Sequence, residues 1–129
     1  MPEAPPVTIA QLLADYDGLL FDAYGVLVHA AGPLPGAADL LAHLNGDGRP
    51  YFVVTNDASK LPETAAARYR GFGLPLGPER IISSGMLLAA YFAAEDLAGR
   101  RCVVLGPRDS ERYVTAAGGR VVPFHEPFD

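Results

Sequence analysis

Short apolar runs and helical stripes alternate along this chain. Residues 18–23 (GLLFDA), residues 51–54 (YFVV) and the pair Ile81-Ile82 are compact apolar runs, each passing into a polar turn: Asp22 to Gly25, then Thr55-Asn56-Asp57, then Ser83-Ser84-Gly85. Runs that are apolar on successive residues predict buried strands of the parallel type. Between them the apolar positions recur at helical spacing, first at Ala37, Leu40, Leu41 and Leu44, then at Ala65, Ala66, Tyr69 and Phe72. Residues 46–50 end the first of these helices and the glycine-rich stretch 71–77 ends the second. Thr8 with Gln11 three residues on is a capping box, and Ile9, Leu12, Leu13 and Tyr16 predict a short amphipathic helix behind it.

Smaller signals fill in the rest. Residues 26–28 predict part of a hairpin, residues 32–36 (GPLPG) a break before the next helix, and Ser59 an N-cap for the helix after the second strand. Residues 86–94 are almost wholly apolar and predict a well-buried helix. After Gly99, residues 102–106, a weaker helix over 109–117 and residues 120–123 predict one more strand, helix and strand. The order implies an α/β fold with a parallel sheet, in which the three polar turns converge at the carboxyl ends of the strands. The first six residues, rich in proline, predict a loose tail.

Composition narrows the functional classes. A chain of 129 residues that is 50% hydrophobic can bury a real core. No apolar run is long enough to span a bilayer, and the beginning MPEAPPV lacks the basic and hydrophobic regions of a signal peptide, so the expected location is cytoplasmic. With a net charge of -5 and its ten Lys and Arg scattered, the chain has no footprint for nucleic acid or an anionic membrane. Small molecules are the expected partners. The single cysteine, Cys102, lies in an apolar run and reads as a small buried hydrophobe. His29, His43 and His125 show no metal-ligand spacing.

The turns carry the candidate chemistry. Asp22, directly after a buried strand and three residues before Gly25, can present an oxygen nucleophile in a tight turn where backbone amides gather around an anion. Thr55 and Asn56 offer a hydroxyl, an amide and main-chain donors for phosphate oxygens. Taken singly, each is equally a strand-end turn or cap residue, and Ser83 and Ser84 are equally N-caps. The pairing of two such strand ends points to phosphoryl transfer.

Residues 19–27 (LLFDAYGVL) resemble the first motif of the haloacid dehalogenase superfamily, and residues 53–57 (VVTND) resemble its second. Residues 34–37 (LPGA), Gly73-Leu74 and residues 81–85 (IISSG) are similar to the NagD-type branch, which includes p-nitrophenyl-phosphatase-like and phosphoglycolate or pyridoxal phosphatase relatives. The resemblance implies a Rossmann-like core and a phosphatase acting on a small phosphomonoester. It implies Asp22 as the nucleophile that forms an aspartyl-phosphate, with Gly25, Thr55 and Asn56 binding the phosphate. It further implies a magnesium ion held by the Asp22 carboxylate and the Tyr24 backbone carbonyl.

The same resemblance locates departures. Thr55 follows Asp22 by 33 positions, which leaves no room for a cap domain between the motifs. Residues 8–99 therefore read as the N-terminal part of the catalytic core, residues 1–7 as the tail, and residues 100–129 as the opening of a cap that stops short. The third-motif lysine and the fourth-motif acids of the family are not found, and the only lysine, Lys60, sits just after the second motif. Tyr24 occupies the position where phosphatases of the superfamily carry a second aspartate, which protonates the leaving group and activates water. A phenol can donate a proton but is a poor base near neutral pH, so Tyr24 is open to two readings, proton donor or packing residue. The sequence expectation is thus an impaired or inactive phosphatase-like chain. Two alternatives stand beside it: a non-catalytic domain that pairs with another chain or self-associates through an exposed sheet edge, and carbon–halide hydrolysis of the haloacid dehalogenase type, which the short gap between motifs disfavours.

Overall fold

A computed structural model describes residues 4–129. Its centre is a three-stranded parallel sheet in the order β1-β4-β5, made of β1 (Leu19–Asp22), β4 (Tyr51–Thr55) and β5 (Ile81–Ser83). Register places Asp22 beside Val54 and Thr55 beside Ser83, so the three carboxyl ends are neighbours. The predicted α/β architecture is therefore present, with its chemical turns on one edge of the sheet. A small antiparallel hairpin, β2 (Val28–His29) and β3 (Gly32–Pro33), follows β1. Gly32 and Pro33 are thus the hairpin's second strand as well as part of the break before α2.

Helices α2 (Ala37–Gly46) and α3 (Pro62–Gly71) use their predicted stripes to cover one face of the sheet. Leu41 and Leu44 of α2 and Ala65, Ala66 and Tyr69 of α3 share one buried cluster with Tyr51, Val53 and Ile81 of the strands. The first helix, α1 (Ile9–Asp15), opens on the Thr8–Gln11 capping box, with Gln11 N–H donating to Thr8 Oγ1 at 3.2 Å and Thr8 N–H donating to Gln11 Oε1 at 2.8 Å. Residues 4–7 of the expected tail form no element and are exposed, while residues 1–3 lie outside the described residues.

Three expectations need correction. Ser59 is not the N-cap of α3: the helix begins at Pro62 with Leu61 as its cap residue, because the Ser59 hydroxyl and N–H both turn back to Asp57 Oδ1. The apolar stretch 86–94 is not well buried; it is a 3₁₀ turn, Ser84–Leu87, leading into α4 (Leu88–Ala94), of which only Phe92 is buried. Met86, Leu87 and Tyr91 stay 47%, 67% and 56% exposed, so much of their apolar surface is left uncovered among the described residues. Cys102 is only partly buried, since its strand β6 (Arg101–Cys102) is two residues long and Leu105 projects into solvent. β6 pairs in parallel with β7 (Arg120–Val121), and α5 (Arg108–Ala116) joins them, so this strand-helix-strand unit builds its own two-stranded sheet apart from the central one.

Candidate active site

β1 delivers Asp22 to the sheet's carboxyl edge with its side chain exposed, and Ala23 N–H donates to Asp22 Oδ1 at 2.7 Å. That bond fixes the carboxylate's direction and leaves lone pairs on Oδ2 for another partner. The chain then reverses. Gly25 adopts φ +86°, the left-handed region that a side chain disfavours, and its N–H donates to Val28 O at 2.8 Å. Gly25 thus shapes the turn, with its own amide already engaged. Tyr24 is 68% exposed and lines the same cleft as Asp22.

β4 delivers the second group. Thr55 Oγ1 accepts from Asp57 N–H at 3.1 Å, and the Asn56 carbonyl accepts from Ser84 Oγ at 3.0 Å. The loop beyond is built on Asp57, whose Oδ2 accepts from Lys60 Nζ at 2.9 Å. Burial acts to raise the Asp57 pKa, but hydrogen bonds from Ser59 and Lys60, together with the lysine's charge, outweigh it and hold the carboxyl below its ordinary value. Lys60 is therefore committed to Asp57 and Ser59 Oγ, 3.0 Å away.

Asp22, Tyr24, Thr55 and Asn56 come together along one cleft of about 360 Å³, joined by Ala23, Val28, Asp57, Arg68 and Tyr69. A shallower depression across the sheet edge shares Asp22, Thr55 and Asn56. The third turn stands behind the cleft instead of lining it. Ser83 is buried, and its hydroxyl lies 2.6 Å from Tyr113 Oη, which in turn donates to Lys60 O at 3.0 Å. Gly85 makes room for this, since a Cβ there would stand 2.5 Å from the Tyr113 ring. Ser110 Oγ donates to Ala58 O and Asp109 Oδ2 accepts from Leu61 N–H, so α5 holds the whole loop that follows Asn56. Sequence reasoning missed this clamp because it joins residues some fifty positions apart in the chain. It also read Tyr69 only as part of a core stripe, passed over Arg68 as a lining residue, and took Asp57 only as the end of the second polar turn.

The oxygen donors suit a hard cation. Asp22 Oδ2 and the Tyr24 carbonyl, which accepts no backbone hydrogen bond among the described residues, are the ligand types that magnesium takes beside retained waters. Among the described residues no three His, Cys, Asp or Glu side chains gather into a fuller ligand set. No helix among them is long and apolar enough to cross a membrane.

Residues 19–120 match the haloacid dehalogenase-like hydrolase family, and the chain belongs to it. A structure from Cytophaga hutchinsonii, described as a possible sugar phosphatase of the HAD superfamily, is 34% identical and superposes with a TM-score of 0.81 over 94% of this chain and 43% of its own. A glycerol phosphate phosphatase of Mycobacterium tuberculosis in complex with magnesium is 27% identical, with a TM-score of 0.71 over 84% of this chain and 32% of its own. The acid sugar phosphatase of Staphylococcus saprophyticus is 28% identical over 106 residues, 82% of this chain and 40% of that protein. These neighbours agree with the NagD-like, class IIA branch. The chain spans about 40% of the length of the curated relatives it matches.

Proposed function

We propose that this chain carries the nucleophile and phosphate-binding half of a phosphatase site acting on small phosphomonoesters such as sugar phosphates. The observation that carries the reading is the convergence of Asp22, Thr55 and Asn56 at adjacent parallel strand ends in one cleft. An Asp22 oxygen attacks phosphorus in line, the bond from phosphorus to the ester oxygen breaks, and the departing alkoxide takes up a proton. Water then attacks the acyl phosphate, releasing inorganic phosphate and restoring the carboxylate. Thr55 Oγ1 and the Asn56 side chain donate hydrogen bonds to the transferring oxygens. Tyr24, in the turn beside the nucleophile and lining the same cleft, donates a proton to the leaving oxygen in this reading. The Asp22 carboxylate and the Tyr24 carbonyl would hold a magnesium ion, which would supply charge neutralisation for the phosphoryl group. Residues 100–129, with a sheet of their own, fit the opening of a cap domain over this site. The phosphatases among the relatives favour this chemistry over carbon–halide hydrolysis.

Hydrolysis of an aryl phosphate, with and without magnesium, by the chain and its Asp22→Asn variant tests the reading. Magnesium-dependent release of the phenol that the variant loses supports it, and equal rates for both proteins overturn it.

A second reading, association with a second copy of this chain, is favoured by the sheet face opposite α2 and α3. Leu20, Phe52, Val54 and Ile82 are all exposed there, an apolar patch of the kind that marks an interaction surface. Sedimentation equilibrium decides it: a concentration-dependent rise in mass supports self-association, and a monomer at all concentrations contradicts it.

A further inference from the structure

Three tyrosines of this chain are buried: Tyr51, Tyr69 and Tyr113. A buried phenol ordinarily finds a partner for its hydroxyl. Tyr51 Oη donates to Asn45 Oδ1 at 3.0 Å, and Tyr113 Oη meets both Ser83 Oγ and Lys60 O. Tyr69 differs: the residue is 8% exposed and belongs to the core cluster, yet its hydroxyl has no hydrogen-bond partner among the described residues. Every side-chain nitrogen or oxygen there that is shut off from solvent does have one, so Tyr69 Oη must reach an opening, and the opening it lines is the cleft of Asp22, Thr55 and Asn56.

We propose that the Tyr69 hydroxyl is a further phosphoryl-binding group of this cleft, a neutral donor for the anionic oxygens of a bound phosphate ester; the assignment rests on the phosphatase reading above. The anchorage is firm, because Tyr69 shares one buried cluster with Ala65 and Ala66 of its own helix and Tyr51, Val53 and Ile81 of the sheet while it also lines the cleft. The electrostatics suit a donor. Burial first, then the negative charges of Asp57 and Asp22, push the phenol's pKa up against the opposing effect of Arg68, so the proton stays on oxygen through neutral pH. A neutral donor beside the Asp22 carboxylate holds an anion without itself titrating. Its neighbour Arg68, whose guanidinium lies 5.4 Å from the Phe72 ring centroid, lines the same cleft and adds positive charge to that wall.

The test is calorimetric titration of the chain with inorganic phosphate in the presence of magnesium, beside Tyr69→Phe and Tyr51→Phe. Tyr69→Phe keeps the ring and its packing, and the expected result is a Kd for phosphate raised about tenfold with an unchanged urea midpoint. Tyr51→Phe removes a buried hydroxyl that does not line the cleft, and its Kd should match that of the unaltered chain. Equal affinity in Tyr69→Phe and the unaltered chain overturns this assignment alone, as does a Tyr69→Phe chain that unfolds. An unaltered chain that neither binds phosphate nor shows Asp22-dependent turnover overturns the phosphatase reading and this assignment with it.

Discussion

The two faces of the central sheet are built from the same kind of residue and meet opposite surroundings. Along β4, Tyr51 and Val53 are fully buried beneath α2 and α3, while Phe52 and Val54, pointing the other way, are 37% and 40% exposed. β1 and β5 repeat the contrast, with Leu20 at 72% and Ile82 at 38% beside the buried Ile81. Parallel sheets are ordinarily covered on both faces. Apolar character thus measures how strongly a residue favours burial, and the docked elements decide whether it obtains it. The consequence for function is that the site's supports lie on the covered side. Tyr69 reaches the cleft from α3, and the Tyr113 clamp from α5 braces the loop after Asn56.

The contrast can be tested by substitution. Leu41→Ala, which empties a fully buried position of α2, should cost about 2–5 kcal/mol in urea unfolding; a loss under about 0.5 kcal/mol would mean that this face is not the core. Val53→Ala and Val54→Ala make the sharpest pair, since the two residues are adjacent and chemically identical. The first should lose about 1–3 kcal/mol and the second no more than about 0.5 kcal/mol. Equal losses would show that the outer face is covered in solution, and a concentration-dependent midpoint in the unaltered chain that Val54→Ala abolishes would identify the cover as a second chain.

Smaller effects probe the loop behind the site. Tyr113→Phe leaves the buried Ser83 hydroxyl and the Lys60 carbonyl without their shared partner and should cost about 1–2 kcal/mol, read as a lower thermal midpoint. Asp57 has a folded pKa below its ordinary value of 3.8, so its contribution is present above that value and is lost as pH falls through the lower folded one. The stability gap between the unaltered chain and Asp57→Asn should therefore be widest near neutral pH and close in acid; a gap that widens on acidification would reverse the assigned sign.

Much of this was legible in the sequence. The strands β1, β4 and β5, the stripes of α2 and α3 and the Thr8–Gln11 cap follow from local patterns, and so do the turns bearing Asp22 and Thr55, because an apolar run that ends in polar residues is itself a strand-end signal. What was not legible depends on distant contacts. Residues 86–94 have a buried helix's composition, but composition does not say which neighbour will cover it. Ser59 is a good N-cap type, yet Asp57, two residues away, competes for its hydroxyl and wins. Helical periodicity placed Tyr69 inside without showing that its hydroxyl would have no internal partner. The docking of α5 on residues 58–61 came from long-range pairs, Tyr113 with Lys60 and Ser110 with Ala58, that no local window contains.

The measurement that tests the account most directly is chemical trapping of the covalent intermediate. The chain is mixed with an aryl phosphate and magnesium, quenched, and treated with borohydride, which reduces an acyl phosphate to the alcohol, and the digest is read by tandem mass spectrometry. The account predicts that Asp22 alone is converted, with phosphate released and no conversion in Asp22→Asn. Turnover with Asp22 left unmodified, or a label on another carboxylate such as Asp57, would contradict it.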